Sequence, residues 1–264
     1  MIVSPLLEKT RQLNKILQNG KGSYVDYKEM VEVLKDVVTA NVYLLDLQGS
    51  FIGYAFADDN SCGISFQQVR KGRVTDRANA FLLKSDKLQC NLKKEEYCGC
   101  IFSDSVDCPF AGKVATLIPI IGRNRRLGTM LLSRFSDLFT EEDLILAERV
   151  ATLVAMEILR EEIRESKEKL RHSTVVKLAL EALSYSEMEV IEQCFKDFTA
   201  DEGLMVASRI ADNAGIARSV IVNALRKLES AGILESWTLG TKGTYIKVHN
   251  PYLFEYLGSR SSPS

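Results

Sequence analysis

The sequence predicts an α+β chain of two domains joined by a long helix. Three observations carry this. Two β-hairpin patterns, flanked by amphipathic helices, occupy the stretch before Thr140. A charged helical run then extends from Glu141 through Arg171. Beyond it, Ala207 to Leu228 holds two short helical patterns around Gly215, followed by a third hairpin. With 264 residues, a prior of about 150 per domain also gives two domains, and an apolar content of 46% is enough for real cores.

The elements follow in order. Leu6 to Leu17 reads as a helix with Leu6, Leu13 and Leu17 on one side, and Tyr27 to Val38 as a second helix capped by Asp26. Asn41 to Leu47, a Gln48-Gly49 turn and Phe51 to Phe56 form the first hairpin. Asp58 to Asn91 is irregular, with helical fragments. Lys113 to Ile121 is a buried strand, Gly122 to Arg126 a polar turn, and Leu127 to Arg134 its partner. The expected sheet is antiparallel, with helices on one face. Hairpin, ligand-sized irregular middle and second hairpin make a GAF-like small-molecule sensor, although a filled core has the same periodicity.

Thr140-Glu141-Glu142-Asp143 opens the long helix as a variant capping box. Glu157 to Arg171 carries five acidic and five basic residues. An apolar stripe of Leu153, Met156, Leu159 and Ile163 remains and points to dimerisation. A third helical region, Ser173 to Leu183, leads to a second capping box at Ser186-Glu187-Met188-Glu189. The expected boundaries are 1–159 for the sensor, 160–183 for the connecting helix and 184–264 for the C-terminal domain.

In that last domain, Val206, Ile210 and Ala211 share one face, and Gly215 ends the first helix. Ile221, Ala224, Leu225 and Leu228 form the apolar stripe of the second helix. Its other face offers Arg218, Ser219, Asn223, Arg226 and Lys227, donors suited to phosphates and base edges. The strands around Trp237 and Tyr245, joined at Gly240-Thr241-Lys242-Gly243, read as a wing. The pattern is a winged helix-turn-helix. The expected contacts to double-stranded DNA are Ser208, Arg218, Ser219, Val222, Asn223, Arg226, Lys227 and Lys242, within a motif spanning Ala207 to Arg226 and its wing. From Leu204 to Asn250 six Lys or Arg stand against three Asp or Glu, a local basic excess on a chain of net charge −1.

Other classes find little support. There is no secretory signal, and no apolar run approaches the ~20 residues that span a bilayer. A cytoplasmic protein is expected. The two histidines, His172 and His249, belong to no triad arrangement, and no P-loop occurs. An enzyme is not expected. Five of the six cysteines fall between Cys62 and Cys108. Cys98, Cys100 and Cys108 are candidate metal ligands with non-standard spacing, so a metal- or redox-sensing repressor is the alternative; small buried cysteines are the commoner outcome.

Several stretches resemble the CodY family of nutrient-sensing transcriptional repressors of low-GC Gram-positive bacteria. They are Leu183 to Glu187, Arg218 to Gly232, Gly240 to Val248, Ile118 to Gly122, Asp143 to Glu148 and Met156 to Glu161. The resemblance implies a GAF domain, a connecting helix, a winged helix-turn-helix and a homodimer. It implies branched-chain amino acids (isoleucine, leucine, valine) as effectors, with GTP as a second. Family members place an arginine for the amino acid's carboxylate after the second strand; here that position is Ile64. Nearby methionines are replaced by Ser65 and Gln68, and a Phe-Pro pair by Val74-Thr75. The effector candidates are therefore Arg70, Arg73 and Val74, with solvated arginines as the other reading. The basic turn of GTP-binding members is Asp46-Leu47-Gln48-Gly49-Ser50 here, whereas Arg123, Arg125 and Arg126 form a different basic turn.

Overall fold

A computed structural model describes residues 4–19, 26–57, 67, 69–93, 96, 112–135, 137–196, 198, 201–206, 210–211, 215–240 and 243–260. The chain divides into two compact units, Met1–Glu162 and Ile163–Ser264.

The first unit begins with α1 (Pro5–Asn19) and α2 (Tyr27–Val38). The Asp26 carboxylate accepts from the Lys28 backbone amide and caps α2. The two predicted hairpins become β1 (Asn41–Leu45) with β2 (Phe51–Ala55), and β4 (Lys113–Gly122) with β5 (Arg125–Phe135). They join because β1 pairs antiparallel with β5, from Asn41 opposite Ser133 to Leu45 opposite Thr129. The sheet order is β2-β1-β5-β4-β3, where β3 is Gln89–Leu92, with all named pairs antiparallel. At Gly128 an added Cβ would lie 2.3 Å from the Leu45 carbonyl oxygen, so only glycine allows β5 this close to β1.

Strand alternation sorts the side chains onto two faces. Val42, Leu44, Met130, Leu132 and Ile118 face a core shared with Leu13, Leu34, Leu146, Val150 and Val154 from the helices. Tyr43, Leu45, Leu131, Ala115 and Leu117 form a second apolar cluster on the opposite face with Val69, Val74, Ala78 and Leu82. The segment expected to be irregular up to Asn91 contains α3 (Asp76–Leu82), capped by Thr75, and the edge strand β3 (Gln89–Leu92). Neither element is long enough to display a clear period.

α4 (Glu141–Glu181) is one continuous helix. The capping box at its start forms: the Thr140 amide donates to Asp143 (3.0 Å), and the Asp143 amide to the Thr140 hydroxyl (3.3 Å). Ser173 to Leu183 is therefore no separate region, because nothing in that stretch breaks a helix. The predicted stripe divides. Leu153 and Leu159 pack on the first core, whereas Met156 and Ile163 are exposed and continue seven residues on to exposed Leu170.

The second unit holds the end of α4, α5 (Tyr185–Phe195), β6 (Glu202–Met205), α6 (Arg218–Ser230), β7 (Leu234–Thr238), β8 (Thr244–Val248) and α7 (Tyr252–Arg260). Its core joins Val176 and Leu180 of α4 to Val190, Ile191, Ile221, Leu225, Leu228 and Leu253. Each such aliphatic side chain contributes roughly 1.5–3 kcal/mol on burial. The sheet order is β6-β8-β7. α5 is capped two residues earlier than expected: Ser184, not Ser186, is the N-cap, in a complete capping box with Glu187. Two overlapping Ser-x-x-Glu matches compete here. The one that forms lets the Glu187 carboxylate meet Lys227 as well.

Candidate DNA interface and effector bed

α6 has the two-sided character that a groove-binding helix requires. Ile221, Ala224, Leu225 and Leu228 are buried, while Arg218, Ser219, Asn223 and Arg226 are exposed and Val222 is half-buried. Ala217 at the N-cap supplies no side-chain hydrogen bond, and the first turn contains no acidic residue. The start of α6 thus presents backbone donors and the positive end of a helix dipole beside Arg218, an arrangement suited to a phosphate. Preceding it, Gly215 has φ +65 and Ala211 is buried. Ala207–Arg209, including Ser208, and Asp212–Ala214 lie outside the described residues.

α6 ends cleanly. Gly232, at φ +69, donates to the Glu229 carbonyl and Ile233 to the Leu228 carbonyl, turning the chain into β7. The β7–β8 hairpin is the wing, with Trp237 opposite Tyr245 and ring centroids 5.9 Å apart. Gly243, at φ +119, is required twice over, since an added Cβ would also meet the Met205 carbonyl oxygen at 2.5 Å. Thr241 and Lys242 at the tip lie outside the described residues.

Lys227 carries contacts that its sequence neighbourhood does not announce. Its ammonium donates to Glu187 (2.7 Å) and to the Ala182 carbonyl (3.2 Å). It is therefore engaged within the domain, with its side chain 45% exposed. Helical periodicity alone placed it on the polar face; the partner lies forty residues away and leaves no local signal. Lys227, followed by the Ser184 amide, holds the Glu187 carboxyl below its ordinary range.

In the first unit the candidates separate. Val74 is buried in the second apolar cluster, and its amide donates to the Gly49 carbonyl (2.9 Å). Arg70 and Arg73 are exposed, and Arg73 pairs with Asp76. Ile64, Ser65 and Gln68 lie outside the described residues. The cluster around Tyr43, Leu131 and Val74 is fully buried and rimmed by half-buried Phe51, Phe56 and Phe81. At one end of the sheet a cleft of about 320 Å³ is lined by Asn41, Ala57, Ser133 and Asp137, among others.

In the first hairpin Asp46 accepts from the amides of Gln48 (2.9 Å) and Ser50 (2.7 Å), so this turn carries a carboxylate and no base. The basic turn between β4 and β5 is largely committed. Arg125 pairs with Glu162. Arg126 is bound to the carbonyls of Leu82, Ser85 and Gly128, to the Thr129 hydroxyl and to Asp86. Arg123 is exposed.

Cys98, Cys100 and Cys108 lie outside the described residues. Among the described ones no group of three His, Cys, Asp or Glu side chains is placed to hold a metal. Cys194 is buried in the second core, and burial pushes its thiol up to about 12. Cys90 is exposed. No described helix is long and apolar enough to cross a membrane.

Comparison with known proteins agrees with this layout. Residues 5–182 match the CodY GAF-like domain and residues 201–260 the CodY helix-turn-helix domain. The global transcriptional regulator CodY of Clostridium kluyveri is 44% identical over 256 residues, covering 97% of this chain and 98% of that protein. Its namesake from Clostridium tetani is 45% identical over 260 residues, with the same coverages. The cofactor-binding GAF domain of the nutrient sensor CodY from Clostridium difficile is 34% identical, covering 60% of this chain and 99% of that one, with a TM-score of 0.44. The chain therefore belongs to the CodY family of global transcriptional regulators, which are not enzymes.

Proposed function

We propose that the chain is a repressor whose binding to double-stranded operators is switched by a branched-chain amino acid. The exposed face of α6 carries the DNA half of this reading. Arg218 and Asn223 read base edges, Ser219 and Arg226 hold phosphates, and Val222 touches a thymine methyl. Ser208 and Lys242 add contacts to the DNA backbone. Lys227 is left out of this set because it is bound to Glu187.

The second apolar cluster supports the effector half. Isoleucine, leucine or valine presents an aliphatic side chain that suits a bed of Tyr43, Leu131 and Val74. Arg70 and Arg73 are the candidates for the carboxylate. GTP is not part of this reading, given the carboxylate in the first turn.

The protein acts as a homodimer in the cytoplasm, where its DNA is. Met156, Ile163 and Leu170 are spaced seven residues apart and exposed, the pattern of a two-helix seam. A dimer presents two α6 helices to major-groove half-sites one helical turn, or a multiple, apart. Ligand binding shifts the dimer toward the operator-competent arrangement. Calorimetric titration with isoleucine, valine, leucine and GTP tests the effector. Saturable heat from at least one amino acid and none from GTP is expected; heat from GTP alone would overturn the reading.

A further inference from the structure

Lys227 sits on α6, and its ammonium is held by partners outside that helix. Three elements converge on it. Ala182, whose carbonyl it binds at 3.2 Å, directly follows the last residue of α4. Glu187, bound at 2.7 Å, belongs to the first turn of α5 and closes the capping box on Ser184. Lys227 itself lies in the last turn of α6. The Glu187 side chain is 10% exposed, so it is a nearly buried carboxylate whose only cation is Lys227 among the described residues.

The contact is not the sole tie to α4. Asn250 donates to the His172 carbonyl (2.9 Å), and the Ser173 hydroxyl meets that of Tyr256 (3.0 Å). Those bonds hold the β8–α7 side of the domain. On the α6 side, the bond from Lys227 to the Ala182 carbonyl is the tie to the end of α4, and the one to Glu187 the tie to α5.

We propose that Lys227 and Glu187 form a positioning node that fixes the orientation of α6 against the end of α4, so that the recognition face is presented in register with the connecting helix. This rests on the reading of α6 as the DNA-binding helix. Lys227 then contributes to operator affinity without touching DNA. Arg218, at the far end of α6, is aimed by a contact more than two turns away.

The node and a phosphate contact predict different patterns. A lost phosphate contact lowers the salt slope of log affinity by about one. A lost positioning contact leaves that slope unchanged. Lys227→Met, Glu187→Gln, the double variant and Lys227→Arg are compared in the full chain. Two measurements are made: amide hydrogen exchange of the free protein, and fluorescence anisotropy on a DNA duplex at several salt concentrations.

The node predicts faster exchange around Ser184–Glu187 and in α6 for both single variants. It predicts a roughly tenfold loss of affinity in each, about 1.4 kcal/mol, with the double variant no worse than either single and an unchanged slope. Lys227→Arg should restore most of the affinity. A slope reduced by about one in Lys227→Met, with Glu187→Gln binding as wild type, would overturn the proposal. Unaltered exchange in both single variants would also overturn it, even if the wild-type chain bound no DNA tested. The exchange arm therefore separates failure of the node from failure of the DNA reading.

Discussion

Replacing Arg134 by methionine should strip the lock that fixes the start of the connecting helix. The Arg134 guanidinium donates to the carbonyls of Val38 (2.9 Å), Asp137 (3.1 Å) and Leu138, and to the Asp143 carboxylate (2.9 Å). It also lies 4.2 Å from the centroid of the Phe139 ring. The side chains of Arg134 and Asp143 are 15% and 8% exposed, so the pair is mostly withdrawn from water. Asp143 is at the same time the capping partner of Thr140. Methionine keeps the length and apolar stem but leaves Asp143 without this cation and the carbonyls without this donor. Breaking such a pair from one side costs about 3–5 kcal/mol, because the remaining charge stays buried. For a unit of this size each kcal/mol lowers Tm by about 2–4 °C, which gives a fall of roughly 6–20 °C. Scanning calorimetry reads this directly, and a second arm with Asp143→Asn should show the two losses to be strongly non-additive. A fall below about 2 °C, or losses that simply add, would refute the assignment of Arg134 as the lock, since independent contacts add.

Two further outcomes follow from the second unit. Glu187 has a folded-state pKa below its ordinary value of 4.5, so its contribution to stability is complete above that pH and is lost as pH falls through the lower folded value. Thermal melts should therefore show a steeper acid-side loss of stability in wild type than in Glu187→Gln, and parallel curves would count against the pairing with Lys227. Cys194, its thiol pushed up to about 12, should resist alkylation of the native protein at about pH 8, while exposed Cys90 is modified; labelling read by mass spectrometry that finds Cys194 modified first would contradict its burial.

The features legible in the sequence are those written in local pattern. The stripe of Ile221, Ala224, Leu225 and Leu228, the left-handed Gly215 and the capping box at Thr140 each act over a few residues, and each is present as read. Features decided by distant partners were less visible. Lys227 reads as one more surface cation until the start of α5 folds against it. Leu153 and Leu159 share a period with Met156 and Ile163, but the sheet takes only the first pair. Arg125 and Arg126 look like a basic turn, yet one meets α4 and the other fills a ring of carbonyls. The strand β6 is four residues long and owes its existence to pairing with β8, which no short-range period encodes. For the effector, the sequence supplied Val74, Arg70 and Arg73 as a set. Folding buries the first and leaves the two arginines on the surface.

The DNA-binding role of α6 is tested most directly by titrating a family operator duplex with the wild-type chain and with Arg218→Ala, following anisotropy across a salt series. Wild type should bind with an affinity that falls steeply as salt rises. Arg218→Ala, which removes an exposed side chain, should melt as wild type does. It should lose specific affinity by about 1–3 kcal/mol, the worth of a base-reading arginine. Equal affinity of the two proteins for the operator would contradict the assignment of α6 as the helix that reads DNA.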